Sequence, residues 1–113
     1  MVVGASGGPR IISAVLQTIL RVLSYGQDLF SAVSEARWHH QLLPDSLQAE
    51  QWADASETMR FEFPETLLRA LQEKGHNIIQ TDWGAVVQAI TVDDFGLLTA
   101  ASDPRKDGAP SGV

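Results

Sequence analysis

The chain contains no cysteine. Disulfides, thiolate metal sites and cysteine nucleophiles are therefore excluded, although a cysteine-free chain is tolerated in reducing and oxidising compartments alike. Positive charge is scarce as well: 8 Lys and Arg stand against 14 Asp and Glu, a net charge of −6. Nucleic-acid affinity depends on Lys and Arg displacing condensed counterions, and no basic run makes up this deficit, so the balance argues against nucleic-acid partners. Long hydrophobic runs are missing. The longest mainly apolar stretch, Ile11 to Leu23, is interrupted by Ser13, Gln17, Thr18 and Arg21, too short and too polar to span a bilayer. The N-terminal Met-Val-Val-Gly-Ala-Ser-Gly-Gly lacks the basic segment and longer apolar core of a signal peptide. There are no internal repeats.

What remains is the composition of a folded protein. Of the 113 residues, 44% are hydrophobic and 19% charged, far from the low-hydrophobicity, high-charge corner in which chains stay disordered. The length sets one compact domain as the ceiling. Residues 1–8 read as a strand running into a turn. Ile11, Ile12, Val15, Leu16, Ile19, Leu20 and Leu23 follow helical spacing with a broad stripe expected to be buried. Gly8 suits the N-cap of this helix, Pro9 its first position and Gly26 its left-handed terminus. A second helix is expected from the cap Asp28 to about Ala36. Residues 37–45 lack a period and read as an ordered loop leading to a short strand near Leu47–Glu50. Residues 51–60 give no clear signal.

A third helix starts at Pro64 and ends at Lys74-Gly75, with Leu67, Leu68 and Leu71 expected to face inward. Ile78 to about Asp82 reads as a short strand. Val86, Val87, Ala89, Ile90 and Val92 form a near-continuous β-prone run, the pattern of a strand covered on both faces. Asp93-Asp94-Phe95-Gly96 is a turn signal, and Leu97 to Ala101 returns as the hairpin partner. Residues 103–113 form an irregular tail.

Most of the chemical content lies in Gly4-Ala5-Ser6-Gly7-Gly8-Pro9-Arg10, joined directly to the strongest helix. Two adjacent glycines at a strand-to-helix turn let the backbone approach a ligand, with the Gly7 and Gly8 amides beside the positive end of the helix dipole. An oxyanion hole and a plain tight turn with a glycine cap both fit this spacing. Pro9 cannot donate, and the Gly-Lys-Ser/Thr ending of a phosphate loop is absent. Gly4 to Gly8 also fits the letters of a G-x-S-x-G elbow around Ser6, but the sequence lacks a convincing His following an acidic residue in the right context. His39, His40, Asp45 and His76 lack the spacing of metal ligands and read as hydrogen-bonding residues of a packed loop. Asp93 and Asp94 are adjacent and diverge on a solvated turn.

Residues 1–8, Ala36-Arg37-Trp38-His39-His40-Gln41-Leu42-Leu43-Pro44-Asp45, Lys74-Gly75-His76, Ala85-Val86-Val87-Gln88-Ala89-Ile90 and Ala100-Ala101-Ser102-Asp103-Pro104-Arg105-Lys106 resemble the C-terminal half of the small subunit of gamma-glutamyltransferases. The motifs occur in order with compatible spacing, over nearly all of residues 1–113; only about Gln51–Arg60 matches poorly. The resemblance implies an α/β (α+β) chain forming part of the N-terminal nucleophile hydrolase αββα sandwich. It implies an enzyme made by autocleavage of a precursor, which moves the gamma-glutamyl group of glutathione to water or to an amino-acid or peptide acceptor through a threonyl acyl-enzyme.

In this resemblance Gly7 and Gly8 align with the backbone oxyanion hole. Neither cofactor nor metal is implied. The partners implied are the remainder of the small subunit, the large subunit, glutathione and its acceptors, and the compartment is extracellular, cell-surface, vacuolar or periplasmic. The family's nucleophilic threonine and its groups for the substrate's alpha-carboxylate and alpha-amino group fall upstream of Met1, so the chain is expected to be an inactive fragment or truncated product. Ser6 stands where relatives often carry Pro or Ala, Pro9 replaces a small hydroxyl residue, and Val113 replaces a terminal aromatic. No role carries over to Thr18, Thr58, Thr66 or the histidines. The alternative is a non-catalytic α/β domain that complements a larger subunit or binds a partner through its sheet edge.

Overall fold

The computed structural model describes residues 1–53, 58–82 and 84–112. The elements are, in order, β1 (Val2–Ser6), α1 (Arg10–Leu23), α2 (Leu29–Ser34), β2 (Trp38–His39), β3 (Leu47–Ala53), β4 (Arg60–Glu62), α3 (Glu65–Glu73), β5 (Ile78–Thr81), β6 (Val86–Val92) and β7 (Leu98–Ser102). They fall into two compact units, one of Met1–Glu35 with the chain from Ala85 onward, the other Ala36–Gly84.

In the first unit an antiparallel sheet has the order β1-β6-β7, with Val2 opposite Ile90, Ser6 opposite Val86, and Val92 opposite Leu98. Asp93 closes the β6–β7 hairpin, its Oδ1 accepting the amides of Phe95 at 2.9 Å and Leu97 at 2.8 Å. α1 packs on β1 and β6, and α2 on β6 and β7. Between helices and sheet lies one apolar cluster of Ala14, Leu29, Val33, Ala85, Val87, Ala89 and Ala101. β6 is covered on one face only. Val87 and Ala89 are buried, while Ile90 and Val92 on the other face are exposed. Unbroken apolar character therefore overstated the coverage within this chain.

The helix α1 forms as its period requires, yet its burial departs from the expectation. The residues that sink into the core are Ala14 and Thr18, with Val22 half-buried behind them. Ile12, Leu16, Leu20 and Leu23 stay exposed, Ile12 by 76%. The i, i+4, i+8 row of 14, 18 and 22 begins with small residues, which let the helix axis approach the sheet. Thr18 satisfies its buried hydroxyl by donating to the Ala14 carbonyl at 3.0 Å. At the far end Gly26, with φ +69°, turns the chain so that the Gln27 amide reaches the Arg21 carbonyl at 2.9 Å.

α2 is short and capped at both ends. The Asp28 carboxylate accepts the Ser31 amide at 2.9 Å, and the helix stops at Ser34, two residues before the expected end, because Glu35 is extended. Its last carbonyls are covered by arginines from elsewhere in the unit. Arg105 donates to the carbonyls of Val33, Ser34 and Glu35, and Arg21 donates to those of Ala32 and Glu35. Cations suit this negative end of the helix. Arg105 is in turn held by Asp103 at 2.9 Å. The Asp103 carboxylate, 0% exposed, also accepts the Val87 amide at 2.8 Å.

The second unit is built around β3. It pairs antiparallel with β2 and β4 and parallel with β5, Leu47 lying opposite Ile78. The parallel pair needs a crossover, and α3 lies on the connection and packs against β5. Residues 38 and 39, expected in a loop, form the short strand β2, and β3 runs three residues beyond the expected Glu50. The unsignalled stretch 51–60 thus begins inside β3 and ends on β4, while residues 54–57 lie outside the described residues.

Among the described residues, buried apolar groups are few in this unit: Ala36, Ala49, Phe61 and Leu68. Two aromatic stacks add to them, Trp38 on Phe63 with centroids 4.6 Å apart and Trp52 on Phe61 at 5.0 Å. Of the three leucines expected inward on α3, Leu68 is buried, Leu71 half-buried and Leu67 exposed. A helix that meets one narrow sheet buries only one of its rows. Glu50 is buried and accepts the Arg37 amide at 3.0 Å, while the Glu50 amide returns to the Arg37 carbonyl at 3.0 Å.

Candidate functional site

The glycine pair sits where the first unit turns from sheet to helix. β1 ends at Ser6, Gly7 takes φ +147° and Gly8 φ +61°. Pro9 follows with φ −62° and caps α1, whose first residue is Arg10. The cap is therefore one residue later than expected, at Pro9 rather than Gly8. The Gly8 carbonyl still accepts the Ile11 amide at 3.1 Å, so it tightens the entry to the helix.

The two glycines are required for different reasons. A Cβ on Gly7 would stand 2.7 Å from Ala85 Cα and 2.8 Å from Ala85 Cβ, whereas one on Gly8 would meet nothing within 4 Å. At Gly8 the positive φ alone selects glycine. Among the described residues the Gly7 and Gly8 amides donate to no partner, and Gly7 is half-buried and Gly8 exposed. No acidic side chain occupies the first turn of α1, so none competes for the positive end of its dipole. The turn therefore offers two amide donors next to a helix N-terminus, in a setting that favours negative charge.

Of the remaining sequence candidates, His39, His40, Asp45 and Asp93 have side-chain partners. All three histidines belong to the second unit, whereas Ser6 ends β1 in the first. His39 Nε2 lies 2.9 Å from Gln41 Oε1. His40 accepts the Leu42 amide on Nδ1 at 3.1 Å and faces Asp45 with Nε2 at 3.3 Å. Leu42, held by that bond, has φ +71°. Among the described residues no group of three His, Asp or Glu side chains is placed to hold a metal, and no helix is long and apolar enough to cross a membrane.

Two supports of the glycine turn were not read from the sequence. Ala85 lies against Gly7, and Asp103 fixes β6 two residues further on. Both stand in family-like motifs, but neither residue type signals a role. An alanine becomes informative only when its neighbour across the sheet is known, and an aspartate in a Pro-Gly-rich segment looks solvated.

The mixed α/β arrangement and the turn between β1 and α1 define a part of the N-terminal nucleophile hydrolase fold, shared with a solved Helicobacter pylori gamma-glutamyltranspeptidase variant. That structure superposes with a TM-score of 0.79 at 36% identity, covering 92% of this chain and 53% of the other. The gamma-glutamyltranspeptidase family model matches residues 1–113, and the chain belongs to that family. Scoloptoxin SSD20 of Scolopendra dehaani is 39% identical over 113 residues, 99% of this chain and 52% of that protein. The glutathione hydrolase proenzyme of Escherichia coli is 35% identical over 105 residues, 93% of this chain and 16% of that protein. The chain thus spans about half the length of the first relative and a smaller share of the second.

Proposed function

We propose that residues 1–113 are the C-terminal part of the small-subunit domain of an enzyme that transfers or hydrolyses the gamma-glutamyl group of glutathione, and that Gly7 and Gly8 supply its oxyanion hole. The observation that carries this reading is the glycine pair itself: two amides with no partner among the described residues, next to a helix N-terminus. A threonine hydroxyl supplied from outside these residues attacks the gamma-carbonyl carbon while the threonine's own free amine takes its proton, which it later hands to the leaving amine. The carbonyl oxygen takes up the electron pair, and the two amides donate to it. Collapse of the tetrahedral species re-forms the carbonyl and expels the substrate's amine, which takes a proton. Water or an amino-acid or peptide amine then releases the acyl group by the same steps.

On this reading the 113-residue chain needs the remainder of its subunit and a large subunit, and is inactive alone. The purified chain is expected to show no turnover of a gamma-glutamyl anilide. In the complete enzyme, Gly8→Pro removes one donor and also bars the positive φ of residue 8, so kcat should fall by at least about 10²–10³-fold, the loss expected for one oxyanion donor. Turnover by the isolated chain, or an unchanged rate in the Gly8→Pro enzyme, would reject the reading. A second reading, a non-catalytic domain that complements a larger subunit, is favoured by the exposed sheet face carrying Val2, Ile90, Val92 and Leu98. Its test is pairing with a larger subunit without any gain in turnover.

A further inference from the structure

We infer that Ala85 is a positioning residue for the glycine turn, setting where the Gly7 amide stands; this rests on the oxyanion reading above. Ser6 pairs with Val86 across the sheet, which places residues 7 and 85 side by side at the end of the ladder. A side chain on Gly7 would lie 2.7 Å from the Ala85 Cα and 2.8 Å from its Cβ. Gly7 therefore rests directly on the backbone and methyl of Ala85 and cannot settle deeper. Any atom added at position 85 must be accommodated by one of the two neighbours.

The strand is the less yielding neighbour. Ala85 is only 2% exposed and belongs to the apolar cluster. Two residues on, Val87 is tied to Asp103 in both directions, amide to carboxylate at 2.8 Å and carbonyl to amide at 3.1 Å. Gly7 is half-buried, and its amide is bound to no described residue. Extra volume at position 85 consequently displaces the turn. Interactions with an oxyanion act on the transition state and not on bound substrate, so the effect falls on kcat. A displacement on the order of 1 Å can cost about 10²-fold in rate.

The test uses the complete enzyme carrying this chain, with a gamma-glutamyl anilide as substrate. Ala85→Val is expected to lower kcat by about 10- to 100-fold while KM stays within about twofold. Ala85→Ser, adding a single atom, should recover most of that loss. Gly8→Pro in parallel separates the two claims. If Gly8→Pro cripples the enzyme and Ala85→Val does not lower kcat, the positioning role is overturned and the oxyanion reading stands. If Gly8→Pro has no effect, the oxyanion reading falls and this inference with it. Should Ala85→Val fail to fold, Ala85→Gly decides: loss of the methyl should lower kcat with KM held and move the Gly7 amide resonance, and a native kcat with an unmoved resonance overturns the proposal.

Discussion

The two units hold themselves together by different means. The first joins two helices to a three-stranded sheet over one apolar cluster, and its buried carboxylate Asp103 is enclosed by Val87 and Arg105. Among the described residues the second buries fewer aliphatics and leans on stacked aromatics and on buried polar groups such as Arg37, His39, Ser46 and Glu50. Hydrophobic burial is non-directional and forgiving of detail, whereas buried polar groups stabilise only when each partner is in place. The contrast teaches where each unit is vulnerable. The first fails by losing volume or its buried Asp103–Arg105 clamp, and the second by losing single hydrogen bonds.

The largest expected effect is at the clamp. Asp103→Ala removes the carboxylate partner of Arg105 and the acceptor of the Val87 amide in a buried site, and should cost about 3–5 kcal/mol in urea unfolding. A loss below about 1 kcal/mol would mean that the apolar cluster alone holds the first unit. Next come matched truncations. Leu29→Ala opens the cluster of the first unit and should fall within the about 2–5 kcal/mol range of buried leucines, whereas Leu68→Ala should sit at its lower end because α3 buries one row only. Equal losses would erase the contrast in packing.

A smaller effect is expected at Glu50. Glu50→Ala removes the acceptor of the Arg37 amide and should cost about 1–3 kcal/mol, read as faster amide exchange across β2 and β3. The smallest is at Asp28. Hydrogen bonds from Ser31, its side chain first and its backbone amide second, hold the Asp28 carboxyl below its ordinary value. The folded group is the stronger acid, so its stabilisation is present above about pH 4 and is lost as pH falls through the lowered value. Asp28→Ala should therefore flatten the acid limb of the melting curve and leave the neutral region less affected by pH.

Legibility in the sequence follows the same division. The elements of the first unit were readable because period and caps agree there. Helical spacing over 11–23, a capping aspartate at 28 and a turn at 93–96 each pointed to one structure. Which face of α1 is buried was not readable. Apolar size suggested Ile12, Leu16 and Leu20, while the sheet accepted the row of Ala14 and Thr18. In the second unit, β2 is two residues long and exists because β3 lies beside it, so no local pattern announces it. The glycine turn could be located from spacing, but the reason for Gly7 lies at Ala85, 78 positions away in the chain (85 − 7). Contacts of that range leave no trace in a local period.

The turn can finally be described by handedness. At Gly8 the space beside Cα is open, and only the sign of φ disfavours an ordinary side chain. A D-alanine prefers positive φ, so the backbone angle at position 8 is one that a D residue adopts readily. At Gly7 an L-methyl group is barred twice, by the backbone angle and by the bulk of Ala85. One glycine is thus fixed by chirality alone, and the other by chirality together with a neighbour. A change of side chain at position 85 cannot lift the second constraint, because the nearest atom there is the Ala85 Cα, which every residue keeps.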